Sequence, residues 1–599
     1  MVSIGEPGAG LRPRVGQTRG KTLNGSTRLP RAAHSISGSL MANPDTRPTP
    51  PDAARLLVDC LAVQGCDRIF TVPGESFLPV LDALVDRPEI DLVTCRQEGG
   101  AAFMACADGA MTQAPGIAFV TRGPGATNAS IGVHVAHQDS QPMILFVGDV
   151  SREMRDREGF QEIDFPAFFA PISKWAARID RADRIPEYVA RAYATAISGR
   201  PGPVVLALPE DMLYDETSAS PRAQVSRPAQ APCPDAMQAM MALIGDAAAP
   251  LAIVGGAGWN AKAREYFQLF AERLGLPVAT AFRRQDAISP SSPVYAGNLG
   301  YGPNPKLVER AKAADLLLVV GARLGEATTD GYRVPPLIDG ERTLVHIHPD
   351  PEEPGSVYPA DLAICAAMDE FAESAALWAG EDPLPFDAGG EAHAEWEEWA
   401  TAHPSETYPL DLAQCVQFMR DTLPADTIIC NGAGNFAGWW HRYWRYAGYP
   451  SQLAPTCGAM GYGVPAAVAA ARRFPDRTVV AVAGDGDFLM NGQELASAAQ
   501  AGCDLIVIVV DNSGYGTIRM HQEREFPERI SATRLENPDF AAFGASFGAW
   551  SATAETTDQF KDALTAAEGR TGLRLIHAKI DIEQLAASGA TVSGLRSKG

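Results

Sequence analysis

Short apolar runs punctuate the chain, and most are closed by a glycine-rich polar turn. In the first third, residues 68–72, 92–95, 116–121, 143–147 and 204–208 read as buried strands. Three of the turns after them are Pro73-Gly74-Glu75, Glu98-Gly99-Gly100 and the stretch from Arg122 to Asn128. The middle third repeats the pattern with 251–254 before Gly255-Gly256-Ala257-Gly258, 314–320 before Gly321-Ala322-Arg323, and 343–348. The last third adds 427–430, 478–483 and 505–510. Strands that alternate with helical stretches make βαβ units and parallel sheets. The expected class is therefore α/β, with three consecutive doubly wound parallel-sheet domains over 47–217, 235–387 and 402–585. Loose stretches over 218–234 and 381–390 separate them.

Composition fits this division. A chain of 599 residues is too long for one hydrophobic core, and its 46% apolar and 20% charged content is that of a globular protein. The formal net charge of −22 argues against a nucleic-acid or anionic-membrane partner but leaves an anionic small molecule open. The ten cysteines form no CxxC pair and several lie in apolar runs, which reads as reduced, mostly buried thiols in a cytoplasmic protein. No apolar run reaches the ~18 residues of a membrane span. Residues 1–46 are rich in Gly, Ser, Arg, Thr and Pro and lack the apolar segment of a secretory signal. They are expected to be a disordered tail, or an over-long start with Met41 as the initiator.

The sharpest chemical signal lies in the last third. The strand over 478–483 leads into a loop, Gly484-Asp485-Gly486-Asp487, then a helix expected over 491–501, then the strand over 505–510. That second strand ends on Asp511-Asn512, about 26 residues after Asp485. Both polar clusters fall at the carboxyl ends of neighbouring parallel strands, where open α/β sheets bind ligands. A carboxylate with a neutral amide oxygen suits a hard divalent cation that also takes phosphate oxygens.

This unit, continued through Ser513-Gly514-Tyr515-Gly516, resembles the diphosphate-binding signature of thiamine-diphosphate enzymes. The three-domain order resembles their acetolactate synthase and pyruvate oxidase branch: pyrimidine-binding, central, then diphosphate-binding domain. The resemblance implies that Asp485, the Asn512 side chain and the Gly514 carbonyl hold Mg²⁺. It also puts Gly484, Gly486, Asp487 and Tyr515 along the cofactor, with Gly434, Asn435 and Phe436 contacting its diphosphate. Read alone, Glu98 complements the dipole of the helix it opens, and Met460 fills a core. The resemblance gives each a role: Glu98 exchanges a proton with N1′ of the aminopyrimidine, so that the 4′-imine can deprotonate C2. Met460 wedges the cofactor into its bent form, and the Gly458 carbonyl accepts from the 4′-amino group.

Substrate positions match less closely. Phe160 and Gln161 resemble a Phe-Gln pair of acetolactate synthases, and His521 and Gln522 fall near the place of their pocket tryptophan. Glu75 stands where those enzymes usually have glycine, and Glu210 where they usually have lysine. The central turns hold FAD in some relatives, but His348-Pro349-Asp350-Pro351 replaces the usual acidic pattern, which weighs against a flavin here. The resemblance further implies a homodimer or homotetramer with active sites between subunits. The expected activity is decarboxylation of a 2-oxo acid and transfer of the resulting fragment to a carbonyl acceptor, as in acetolactate synthase. The alternative is another thiamine-dependent decarboxylase or C–C lyase. A flavin or nicotinamide oxidoreductase is disfavoured, because no Gly-x-Gly-x-x-Gly opens a βαβ unit with an acidic residue ~20 positions on. A catalytically silent, cofactor-binding scaffold is disfavoured by the presence of both Glu98 and Asp485.

Overall fold

The structure is a computed structural model that describes residues 52–597, apart from 257, 337–341, 381–387 and 404–405. The tail expected over 1–46, Ala257 and most of the second loose stretch lie outside the described residues. Residues 388–390 of that stretch are not loose but open the helix Ala388–Trp399. Three six-stranded sheets follow one another along the chain, and every strand pairing is parallel.

The first sheet holds β1 (Arg68–Thr71), β2 (Asp91–Thr94), β3 (Gly116–Val120), β4 (Met143–Asp149), β5 (Trp175–Arg178) and β6 (Pro203–Pro209), in the order β2-β1-β3-β4-β6-β5. The central sheet holds β7 (Pro250–Val254), β8 (Val278–Thr280), β9 (Tyr295–Asn298), β10 (Leu316–Val320), β11 (Thr343–His348) and β12 (Leu362–Cys365). Its order, β12-β11-β10-β7-β8-β9, is that of a dinucleotide-binding sheet. The third holds β13 (Ile428–Asn431), β14 (Gln452–Leu453), β15 (Val479–Gly484), β16 (Leu505–Asp511), β17 (Trp550–Ala554) and β18 (Leu573–Lys579). Its order, β14-β13-β15-β16-β18-β17, repeats the first sheet strand for strand. The first and last domains are thus two copies of one architecture.

The eleven expected strands are present, each end within two residues. The others carry weak signals. β14 has only two residues, β5 is half-exposed along its length, and the apolar run of β18 is interrupted by Arg574 and His577. Three expected turns are corrected: residues 98–100 and 123–128 are the first turns of the helices Glu98–Thr112 and Gly123–Asp139, and Asp485 sits in no loop. The helix Asp485–Asn491 starts directly after β15, a single 3₁₀ turn follows at Gly492–Glu494, and Leu495–Gln500 is a separate short helix. Asp485 and Asp487 in the first turn complement the helix dipole, which favours this early start.

One hydrophobic cluster runs through the first and third domains. Its seam is the helix Glu98–Thr112 against the helix Gly463–Arg473, both rich in fully buried alanine. Small side chains let the two helices approach closely, and a charged clamp closes the end of the seam. Arg473 donates to Asp108 from Nε at 3.0 Å and Nη2 at 2.9 Å, and to Asp67 from Nη1 and Nη2. Arg472 and Arg68 both donate to Asp91. No helix among the described residues is long and apolar enough to cross a membrane.

Burial lifts the Asp108 carboxyl above its ordinary value although Arg473 opposes it. Arg473→Leu strips this buried carboxylate of its forked partner and is expected to cost about 3–5 kcal/mol, read as a lower thermal midpoint. A raised carboxyl takes up a proton more readily in the folded state than in the unfolded one. The deficit of Arg473→Leu is therefore expected to be full at alkaline pH and to shrink as pH falls towards the raised Asp108 value.

Candidate active site

Strands β15 and β16 lie side by side with Gly484 opposite Val510, so the residues that follow them emerge at the same edge. Asp485 is almost fully buried there. Its Oδ1 accepts from the Gly486 N–H at 2.9 Å, and its Oδ2 from the Gly514 N–H at 3.0 Å and from Asn537 Nδ2 at 2.7 Å. Burial outweighs these donors and pushes its pKa up to about 6. On the neighbouring strand, Asp511 Oδ1 accepts from the Ser513 N–H at 2.8 Å, and Ser513 takes a left-handed φ of 56°. This turn leaves Asn512 Oδ1 buried without a hydrogen-bond partner. Among the described residues the Gly514 carbonyl accepts from the Gly516 N–H alone, at 2.9 Å, which leaves it a lone pair.

The structure brings twelve of the sequence-predicted residues to one cavity of about 220 Å³: Gly434, Asn435, Phe436, Gly458, Met460, Gly484, Asp485, Gly486, Asp487, Asn512, Gly514 and Tyr515. Asp487 braces its walls. The Asp487 carboxylate accepts from the Gly461 N–H at 2.8 Å and the Ala433 N–H at 3.2 Å, which ties together the loops that carry Met460 and Asn435. Burial pushes Asp487 up to about 7, and its Oδ2 has no partner. The Asn435 side chain is held by Thr517 Oγ1 at 3.0 Å and the Leu585 carbonyl at 2.8 Å. The ten-residue helix Gly516–Glu525 opens onto the cavity, and a helix start of this length suits a phosphate.

The residues fit the implied groups. An orphaned amide oxygen, a fixed carboxylate and a backbone carbonyl are oxygen donors for a hard cation. Glycines at 434, 458 and 484 keep the walls open for a diphosphate.

Five predicted residues lie elsewhere. Glu98 opens its helix at the carboxyl edge of the first sheet, and its Oε2 accepts from Asn128 Nδ2 at 2.9 Å. Gln161, at φ 65°, is tied to the start of the helix after β3: its carbonyl accepts from the Gly123 N–H at 2.9 Å, and Phe160 next to it is 72% exposed. His521 is exposed. The Gln522 amide is engaged with the Ser531 carbonyl at 2.7 Å and the Thr533 hydroxyl at 2.9 Å.

The first-sheet edge also carries a charged group. Arg122, buried after β3, pairs with Glu210, with Glu75 Oε1 at 3.9 Å from its Nη1, and Ser151 Oγ donates to Glu210 at 2.8 Å. In the central domain, Gly256, Ala322 and Arg323 border a second cleft, of about 450 Å³. His348, at the end of β11, does not line that cleft; it is buried, which pushes it down to about 4, and its Nδ1 accepts from the Asp350 N–H at 3.0 Å.

Sequence reading missed Asn537, Thr517 and His577. Asn537 stands alone in a polar loop, Thr517 follows a recognised glycine, and His577 interrupts an apolar strand. None carries a spacing signal. One consequence of the packing is testable. A Cβ at Gly432 would lie 2.1 Å from Asp487 Oδ1. Gly432→Ala, which adds no group to the cavity lining, is therefore expected to displace that brace. Thiamine diphosphate binding should weaken by about tenfold or more, the worth of one hydrogen bond to a charged group, in a calorimetric titration.

Comparison with known proteins matches all three domains. Residues 51–168 match the N-terminal TPP-binding domain of thiamine pyrophosphate enzymes, 237–374 their central domain, and 432–578 their C-terminal TPP-binding domain. The acetolactate synthase large subunit of Parasynechococcus marenigrum is 33% identical over 86% of this chain and 85% of its own. Acetolactate synthase isozyme 2 large subunit of Escherichia coli is 29% identical over 88% of this chain and 96% of its own. Acetolactate synthase of Bacillus subtilis is 29% identical over 88% and 93%. With three domains in the same order and one glycine-walled cavity at the shared edge of β15 and β16, the chain belongs to the thiamine-diphosphate enzymes, on the branch of the acetolactate synthases.

Proposed function

We propose that the protein is a Mg²⁺- and thiamine-diphosphate-dependent, acetolactate synthase-like carboligase that decarboxylates a 2-oxo acid and joins the fragment to a carbonyl acceptor. The observation that carries this reading is the buried pair of Asp485 and the orphaned Asn512 Oδ1 at the head of a glycine-walled cavity. Bound thiamine diphosphate supplies the carbon nucleophile and electron sink for chemistry beside a carbonyl. Asp485, Asn512 and the Gly514 carbonyl would hold the cation that clamps its diphosphate. Met460 would press the cofactor into its bent form, and Glu98 would hold and return the proton at N1′ of the aminopyrimidine.

The working unit is a homodimer or a larger homo-oligomer. Among the described residues no first-domain residue lines the cavity, and the Glu98 carboxylate has one hydrogen-bond partner, the exposed Asn128 side chain. Ile131, Leu489 and Met490, near these two edges, are 43–47% exposed. A second copy supplies to each edge what its own chain leaves out. The charged group around Arg122 favours a second reading of the substrate. Two glutamates and one buried arginine at the first-sheet edge suit a donor or acceptor more polar than those of acetolactate synthases, or another C–C cleavage within the same chemistry.

Co-expression tests the shared site. Glu98→Gln and Asp485→Asn chains are each expected to be folded and nearly inactive in CO₂ release from a panel of 2-oxo acids. Mixed dimers keep one intact site, so random pairing should recover about a quarter of wild-type turnover. Mixtures no more active than either parent would place Glu98 and Asp485 in the same chain's site.

A further inference from the structure

Behind the cation site lies a buried chain of polar groups that the roles assigned above do not use. Asn537 Nδ2 donates to two carboxylates at once, Asp485 Oδ2 at 2.7 Å and Asp511 Oδ1 at 2.8 Å. Asp511 turns its other oxygen away from the cavity to His577 Nε2 at 2.9 Å. His577 is 2% exposed and stands on β18 opposite Val509, with its ring at right angles to that of Phe540, 5.1 Å between centroids.

The backbone fixes the position of Asn537 from both sides. Upstream, the Tyr515 N–H donates to the Thr533 carbonyl and the Leu535 N–H to the Ser513 carbonyl, each at 2.9 Å, so residues 533–535 run antiparallel to the cation-site turn. Downstream, Asp539 caps the helix Phe540–Ser546 through the N–H groups of Ala541 and Ala542. One amide between two carboxylates fixes their separation, and the imidazole fixes the second of them.

Resting on the thiamine-diphosphate reading, we propose that Asn537, anchored by the Asp511–His577 pair, is the positioning residue of the cation site: it holds the Asp485 carboxylate in its ligating rotamer. The Asp511–His577 bond also holds the turn that aims Asn512, because Asp511 accepts from the Ser513 N–H as well. Asp511 is therefore a structural anion, and Asn512 beside it is the ligand.

The test is the affinity of the thiamine-diphosphate-loaded protein for Mn²⁺, read from the electron-spin resonance of free Mn²⁺. Asn537→Ala is expected to weaken Mn²⁺ binding about 10–100-fold, the usual effect of losing a group that orients a metal ligand. His577→Leu keeps the volume and loses the donor, and should weaken it several-fold. His577→Gln restores a donor and should recover most of the loss, a contrast that packing alone would not produce. Asn537→Ser, which keeps a short donor, replaces the alanine variant if that fails to fold. Wild-type Mn²⁺ affinity in Asn537→Ala or Asn537→Ser overturns the proposal, and equal affinities for His577→Leu and His577→Gln overturn the part given to His577. A wild-type protein that takes up no Mn²⁺ beside thiamine diphosphate would remove the functional reading itself.

Discussion

Everything at the candidate site hangs on the parallel pairing of β15 with β16. Gly484 lies opposite Val510, so two strands that are apolar up to their last residues deliver Asp485 and Asn512 to one edge. A shift of one residue would turn every side chain of a strand to the opposite face. Both strands are buried along their whole length, so what marks the register is the polar residues at their ends, which a slip would draw into the sheet. The cost falls on Asp485, a carboxylate removed from water, and three hydrogen-bond donors only partly offset it. A divalent cation, as proposed above, would complete that balance, and the unpartnered Asn512 oxygen is a second donor for it.

The repeated strand order gives the molecule its larger logic. The first and third domains present the same edge of the same sheet, one carrying Glu98 and the other Asp485 and Asn512. They are joined through the alanine-rich helices Glu98–Thr112 and Gly463–Arg473, and the Arg473 clamp holds the far end of that seam. This packing stiffens both edges but keeps Glu98 out of its own chain's cavity. The two edges therefore lie apart within one chain, which is the observation behind the shared site proposed above.

The fold was legible in the sequence to the extent that burial writes continuous apolar runs. Strands such as 505–510, enclosed on both faces, are unmistakable, whereas β18 hides because Arg574 and His577 are buried in it by pairing with Asp504 and Asp511. Asp485 and Asn512 could be named because they stand at strand ends at a fixed spacing along the chain; the other cavity residues came from the resemblance to thiamine-diphosphate enzymes. Asn537 could not, since it reaches Asp485 through residues 533–535 folding back along the turn at 513–515, a contact between segments about 20 residues apart that no local pattern records. The loop expected at Asp485 proved to be a helix start, because two aspartates in the first turn favour the helix as readily as a turn.

The most direct test is calorimetric titration of the protein with thiamine diphosphate, with and without Mg²⁺. The site described here predicts tight binding that requires Mg²⁺ and is lost in Asp485→Ala and Asn512→Ala. Binding that is indifferent to Mg²⁺, or that survives both substitutions, would contradict it.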